Sequence, residues 1–144
     1  MFFVVADRLD APGYLSSDQL RGLVEACMTI GSHGLHHTSW RRLGDGELRD
    51  DLERARSTLE RVIARPVTEA SCPFGEYDRR VLRQLRRLGH QRVYTSDGGS
   101  ARAGAWLQAR NTVRAGWEPT PAGFAEYGRA RLLRSAKRVV KRLR

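Results

Sequence analysis

Two histidines four residues apart, His33 and His37, are the sharpest chemical signal in the chain. Imidazole nitrogens ligate zinc and similar ions, and two rings four apart at a strand end, on a helical turn, point the same way and can share one metal. A catalytic metal ordinarily takes a third protein ligand and keeps an open position, so this pair is only part of a site. The rival reading is two surface histidines. Gly31 and Ser32 before the pair favour the metal reading, because they place it at a strand end where packing has little use for imidazole. His36 is the poorer ligand by spacing and reads as exposed or as support for the other two. Cys72 is the remaining reactive type, but no histidine is obviously committed to activating its thiol, and it reads as a neutral wall residue.

The elements that hold these residues follow a repeated pattern. Phe2-Phe3-Val4-Val5 is a short apolar run, as expected of a strand buried on both faces. Ser17 is placed to cap a helix with Leu20, Leu23, Val24 and Cys27 inward. A second strand, Met28 to Gly31, leads into the histidines. Asp45 starts a long amphipathic helix to about Ile63, with Leu48, Leu52, Ala55, Leu59 and Val62 on one face. Val67 to Ala70 forms a third strand, closed by Cys72-Pro73-Phe74-Gly75. A helix over residues 77–88 turns Val81, Leu82, Leu85 and Leu88 inward and stops at Gly89. A fourth strand over residues 91–95 ends at Ser96-Asp97-Gly98-Gly99. His90 reads as a solvated loop residue, and Trp106-Leu107 as a short further strand. Consecutive strand–helix units argue for βαβ crossovers and a parallel sheet. Because the polar punctuation follows the strands, His33, His37, Pro73, Phe74 and Asp97 are expected at one rim.

Composition narrows the class. The chain has 144 residues, 40% hydrophobic and 29% charged, which is globular rather than disordered. No apolar run approaches the ~20 residues needed to span a bilayer, and no basic-then-apolar leader opens the sequence. Cys27 and Cys72 make no disulfide framework. A cytoplasmic protein is the simplest expectation. The net charge of +10 is concentrated: residues 121–144 carry eight Lys or Arg against Glu126. That segment predicts a basic amphipathic helix with Leu132, Leu133, Ala136, Val139, Val140 and Leu143 as its stripe, fit to touch an anionic membrane surface or to pack on the body. No specific nucleic-acid partner is expected.

Ile30-Gly31-Ser32-His33-Gly34-Leu35-His36-His37 resembles the second motif of the polysaccharide deacetylases, the NodB-homology family of carbohydrate esterases (family 4-like). Phe2 to Val5 resembles that family's aromatic-rich second strand. Cys72-Pro73-Phe74-Gly75 resembles its third motif, a wall of the sugar groove, and Tyr94-Thr95-Ser96-Asp97 stands in place of the fourth. The resemblance covers roughly residues 1–99 and implies an α/β fold, an incomplete (β/α) barrel of the seven-stranded type. It implies a partial domain over 1–99 that lacks the first strand and motif, and a C-terminal extension with the basic helix over 100–144.

The resemblance further implies hydrolysis of an acetyl group on a carbohydrate, amide first and ester second, with a divalent metal, zinc foremost. His33 and His37 would hold the metal, and Ser71, Cys72, Pro73, Phe74, Gly75 and Asp97 would line the substrate. The sequence departs from the family in three places. The paired first-motif aspartates, one the base and one the third ligand, have no counterpart, so the chain is expected to be N-terminally truncated and impaired. Ser71 stands where the third-motif arginine belongs, which leaves that arginine's electrostatic role without an occupant. No late histidine serves as general acid. The alternative is a non-catalytic carbohydrate- or partner-binding remnant of the same fold.

Overall fold

The structure is a computed structural model describing residues 1–113, Ala115, Val140 and Lys141. The basic helix expected from residue 121 therefore lies outside the described residues, apart from Val140 and Lys141, which are helical.

Five parallel strands form one sheet in sequential order: β1 Phe2–Val4, β2 Ile30–Ser32, β3 Glu69–Ser71, β4 Arg92–Thr95 and β5 Leu107–Ala109. Helices α1 Ser17–Glu25, α2 Asp45–Ile63 and α3 Arg79–Arg87 make the first three crossovers. Parallel crossovers share one hand, so a sheet whose order never reverses collects its helices on a single face. Two apolar clusters fill that helix-side layer. One packs Leu20 and Val24 of α1 and Ala55, Leu59 and Ile63 of α2 on Val4 and Ile30. The other packs Leu48 and Leu52 of α2 and Val81 and Leu85 of α3 on Ala70 and Val93. Each fully buried aliphatic side chain contributes about 1.5–3 kcal/mol.

The opposite face is concave. Phe3 and Tyr94 lie on strands three places apart, ~14 Å in a flat sheet, yet their ring centroids are 5.0 Å apart. Gly31 makes room between them: a Cβ there would sit 2.6 Å from the Phe3 ring. The first strand is thus not buried on both faces as expected, since Phe2 is exposed and β1 is an edge of the described sheet.

Local chemistry sets the element ends. Ser16, not Ser17, caps α1: its Oγ accepts from Gln19 N at 3.1 Å and its own N–H donates to Gln19 Oε1 at 2.9 Å. Ser17 is committed elsewhere, donating its N–H and Oγ–H to the Asp10 carboxylate, each at 2.6 Å. This reciprocal arrangement satisfies two donors that a helix start would otherwise leave orphaned. Cys27, expected inward, is exposed just past α1 in a left-handed conformation. Asp78 caps α3 through Oδ1, which accepts from Val81 N at 2.8 Å. Among the described residues, no helix is long and apolar enough to cross a membrane.

His90 is buried rather than solvated, and among the described residues neither ring nitrogen has a hydrogen-bond partner. Burial, and then the Arg56 charge, push its imidazole down to about 4, against weaker opposing effects of Thr68 and Glu60. The folded state thus resists a proton that the unfolded chain accepts at ~6.5. Its contribution to stability is complete above pH 6.5 and is lost as pH falls toward 4. Urea unfolding between pH 7 and pH 4 should show an acid loss about 2–3 kcal/mol larger in the parent than in His90→Gln.

Candidate active site

The strand ends of β2, β3 and β4 converge on one rim. His33 follows β2 directly, and His37 closes a loop rather than a helical turn. Two left-handed residues, Gly34 (φ +83) and His37 (φ 53), fold that loop so that the rings still meet, with centroids 4.9 Å apart and planes at 46°. The four-residue spacing brings the histidines together by a route other than the expected one.

What holds the loop is Asp51, buried on α2. Its Oδ2 accepts from Leu35 N at 3.1 Å and from Trp40 Nε1 at 2.9 Å, and its Oδ1 accepts from His36 N at 3.3 Å. Gly34 lies against this clamp, where a Cβ would come within 2.9 Å of Asp51 Oδ2. Trp40 is therefore core, fully buried, and lines no groove. Asp51 is absent from the sequence-based site, although it interrupts the apolar stripe of Leu48, Leu52 and Ala55. A carboxylate on an otherwise apolar face signals a buried acceptor with a specific job.

His33 Nδ1 lies 2.8 Å from the backbone carbonyl of Ser71. A carbonyl can only accept, so Nδ1 carries the proton, and in the neutral ring Nε2 keeps its lone pair free. Burial lowers the His33 pKa, assisted by the nearby Arg110 charge and opposed by the Ser71 bond. That is the protonation state a ligating imidazole needs, and the carbonyl bond is the support such ligands commonly have. The described residues thus offer one imidazole in a fitting state for a divalent ion, with the His37 ring beside it. They hold no group of three His, Cys, Asp or Glu able to complete a cage. His36 points elsewhere, its Nδ1 2.6 Å from Asp7 Oδ2.

The wall after β3 faces the pair. Phe74 is 64% exposed and its ring lies 4.6 Å from that of His37. Phe74 has φ 57, so two non-glycine residues in left-handed backbone bring their rings together at a tilt of 37°. Such conformations cost of order 1–3 kcal/mol each and cluster at functional sites. Gly75 is tightly fitted, since a Cβ there would lie 2.9 Å from Ser96 Cβ. Pro73 and Cys72 are buried beneath the wall. Burial, with the Asp97 charge next, pushes the Cys72 thiol up to about 12, so it is no nucleophile.

Two cations enter the rim that sequence spacing did not place there. Arg110, one residue past β5, donates from a terminal guanidinium nitrogen to Ser71 Oγ at 2.5 Å and lies 4.9 Å from the Phe3 ring centroid. Ser71, expected to leave the third-motif arginine's role without an occupant, has the Arg110 guanidinium at its hydroxyl. The legible signal was a lone arginine just beyond the last strand. Asp97 is a fully engaged carboxylate. Its Oδ1 accepts from Lys141 Nζ at 2.7 Å, and its Oδ2 from Tyr77 Oη at 2.6 Å and Thr95 Oγ1 at 2.9 Å. Burial would raise its pKa, but these bonds outweigh it and hold the carboxyl below the usual range. Lys141 also donates to Gly75 O at 2.9 Å, joining the wall to the aspartate.

The model of the polysaccharide deacetylase family matches residues 1–93. Among curated proteins no match is found. The fold is similar to that of BC0361, a polysaccharide deacetylase from Bacillus cereus, with TM-score 0.72 and 20% identity over 87% of this chain and 40% of that one. It is also similar to the Streptococcus pyogenes deacetylase PplD in complex with acetate, with TM-score 0.77 and 14% identity over 86% and 56%. A third similar structure is BA3943, a CE4 family pseudoenzyme from Bacillus anthracis, with TM-score 0.58 and 18% identity over 64% and 31%. At these identities the structural likeness is one of fold. The chain spans about two fifths of the length of BC0361 and just over half that of PplD.

Asp51→Ala should destabilise the protein by about 2–4 kcal/mol in urea unfolding, because it strands three donors in the interior. Native-state hydrogen exchange should speed up first at the amides of Leu35 and His36.

Proposed function

Because the chain belongs to the polysaccharide deacetylase family, we propose that its rim is a metal-dependent site for an acetylated carbohydrate, with weak or no turnover in this chain. The observation that carries this reading is His33: its Nδ1–H is spent on Ser71 O at 2.8 Å, leaving Nε2 free beside the His37 ring. His33 and His37 would hold a divalent ion, zinc foremost. When bound, that ion supplies Lewis-acid chemistry at an acyl carbonyl and at the attacking water. The five-stranded sheet is read as an arc of the family's seven-stranded (β/α) barrel.

The remaining residues bind and orient. Exposed Phe74 offers an apolar face to a sugar ring, and its contact with His37 sets where that ring lies relative to the histidines. Pro73, Gly75 and buried Cys72 keep the wall rigid and uncharged. Ser71 links His33 to Arg110, whose charge lies where an acyl oxygen would gain negative character. Asp97, engaged by Lys141, Tyr77 and Thr95, acts on the wall as a positioning residue. The substrate linkage is read as an N-acetyl amide, with an O-acetyl ester second.

Two observations favour a second reading, a non-catalytic carbohydrate- or partner-binding remnant of the same fold. The described residues supply no third metal-binding group, and the structurally similar BA3943 is a pseudoenzyme.

Zinc titration by calorimetry should give weak binding that His33→Ala and His37→Ala each abolish. Acetate release from acetylated chitooligosaccharides and acetylxylan should be slight, since the described residues hold no group of three His, Cys, Asp or Glu to fix the metal that activates the water. Zinc affinity unchanged in both variants removes the metal reading. Robust, chelator-sensitive release establishes an active enzyme and removes the impaired one.

A further inference from the structure

The arginines of this protein fall into two populations. On α2, Arg49, Arg54 and Arg56 each face an acid four residues away, at 2.8 to 3.1 Å. Arg80 of α3 is likewise committed, at 3.0 Å from Asp45. Residues 79–96, by contrast, hold six arginines and no Asp or Glu. Three of these, Arg79, Arg83 and Arg86, are exposed, and no acid among the described residues pairs with them. They occupy positions i, i+4 and i+7 of α3, so they line one face of the helix over ~10 Å.

That face borders a groove of about 530 Å³ between α3 and the approach to β5, floored by Leu82, Ala105, Trp106 and Leu107. One wall is assembled in advance. The Arg86 guanidinium lies 4.4 Å from the Trp106 ring centroid, and Trp106 is itself held by Nε1–H donating to His90 O at 2.7 Å. Stacking limits the rotamers of Arg86 while leaving its in-plane N–H groups available to an acceptor. Because α3 starts just after the Pro73–Gly75 wall and runs back along the sheet, Arg79 stands at the rim end and Arg86 at the far end.

We infer that this groove is a binding site for an acidic polysaccharide strand, separate from the histidine rim and independent of any deacetylase activity. Spaced guanidinium groups match carboxylates repeated along a polymer, each able to take two parallel hydrogen bonds. The apolar floor suits the C–H faces of sugar rings. Single-stranded nucleic acid fits less well, since base stacking needs open aromatic faces and Arg86 already covers a face of Trp106.

The test is fluorescence anisotropy of the full chain with a labelled oligogalacturonate, against a neutral cello-oligosaccharide and a single-stranded oligonucleotide of matched charge. The expected result is salt-sensitive oligogalacturonate binding that R83Q/R86Q weakens at least ~tenfold. R49Q/R54Q, which alters only acid-paired arginines, should leave it unchanged, with thermal melts showing both variants folded. Equal affinity in R83Q/R86Q would assign binding to the basic C-terminal segment and overturn the site. Tighter binding of the oligonucleotide through the same arginines would overturn the choice of ligand, and equal binding of the neutral oligosaccharide would overturn the role of charge.

Discussion

The rim is organised around one buried carboxylate. Asp51 lies 4% exposed on the inner face of α2, yet it receives three donors from the segment that follows β2. A loop carrying a left-handed glycine and a left-handed histidine has no regular hydrogen-bond ladder of its own. Its amides must find acceptors elsewhere or lose more than their water bonds were worth. Asp51 supplies them from α2, the longest helix among the described residues and one that both apolar clusters share. The positions of His33 and His37 therefore depend on α2 packing as much as on their own strand.

Around that anchor, two charged side chains of the rim are tied to named partners. Asp97 has a side chain only 3% exposed and binds Lys141, while Arg110 binds Ser71 and lies close to the Phe3 ring. Burying an unpaired carboxylate costs several kcal/mol, and a lysine at 2.7 Å offsets much of it. The same pairing ties residues near the C-terminus to the Phe74 wall. The wall's geometry is thus set by residues far apart in the sequence.

The contrast between the two arginine populations follows from the same electrostatics. Acids at four-residue spacing neutralise α2 locally, whereas α3 lacks them and turns uncompensated charge outward along a groove with an apolar floor. Exposed ion pairs contribute little to stability. The absence of acids on α3 therefore costs the fold little and leaves its arginines available to a ligand.

Much of the fold was legible in the sequence because hydrophobic periodicity depends only on local geometry. The spacing of Leu48, Leu52, Ala55 and Leu59 marked α2, the short apolar runs marked the strands, and Gly89 marked the end of α3. The histidine pair and the Cys72 to Gly75 wall were legible because motif residues sit close together along the chain. Other features were decided only by tertiary structure. Burial of His90 follows from packing around α3 and Trp106, not from its place after a glycine. The cation at Ser71 comes from Arg110, 39 residues away, and the partner of Asp97 is Lys141, 44 residues away. No local pattern encodes such pairings, because they exist only once the parallel sheet has brought distant strand ends to one rim.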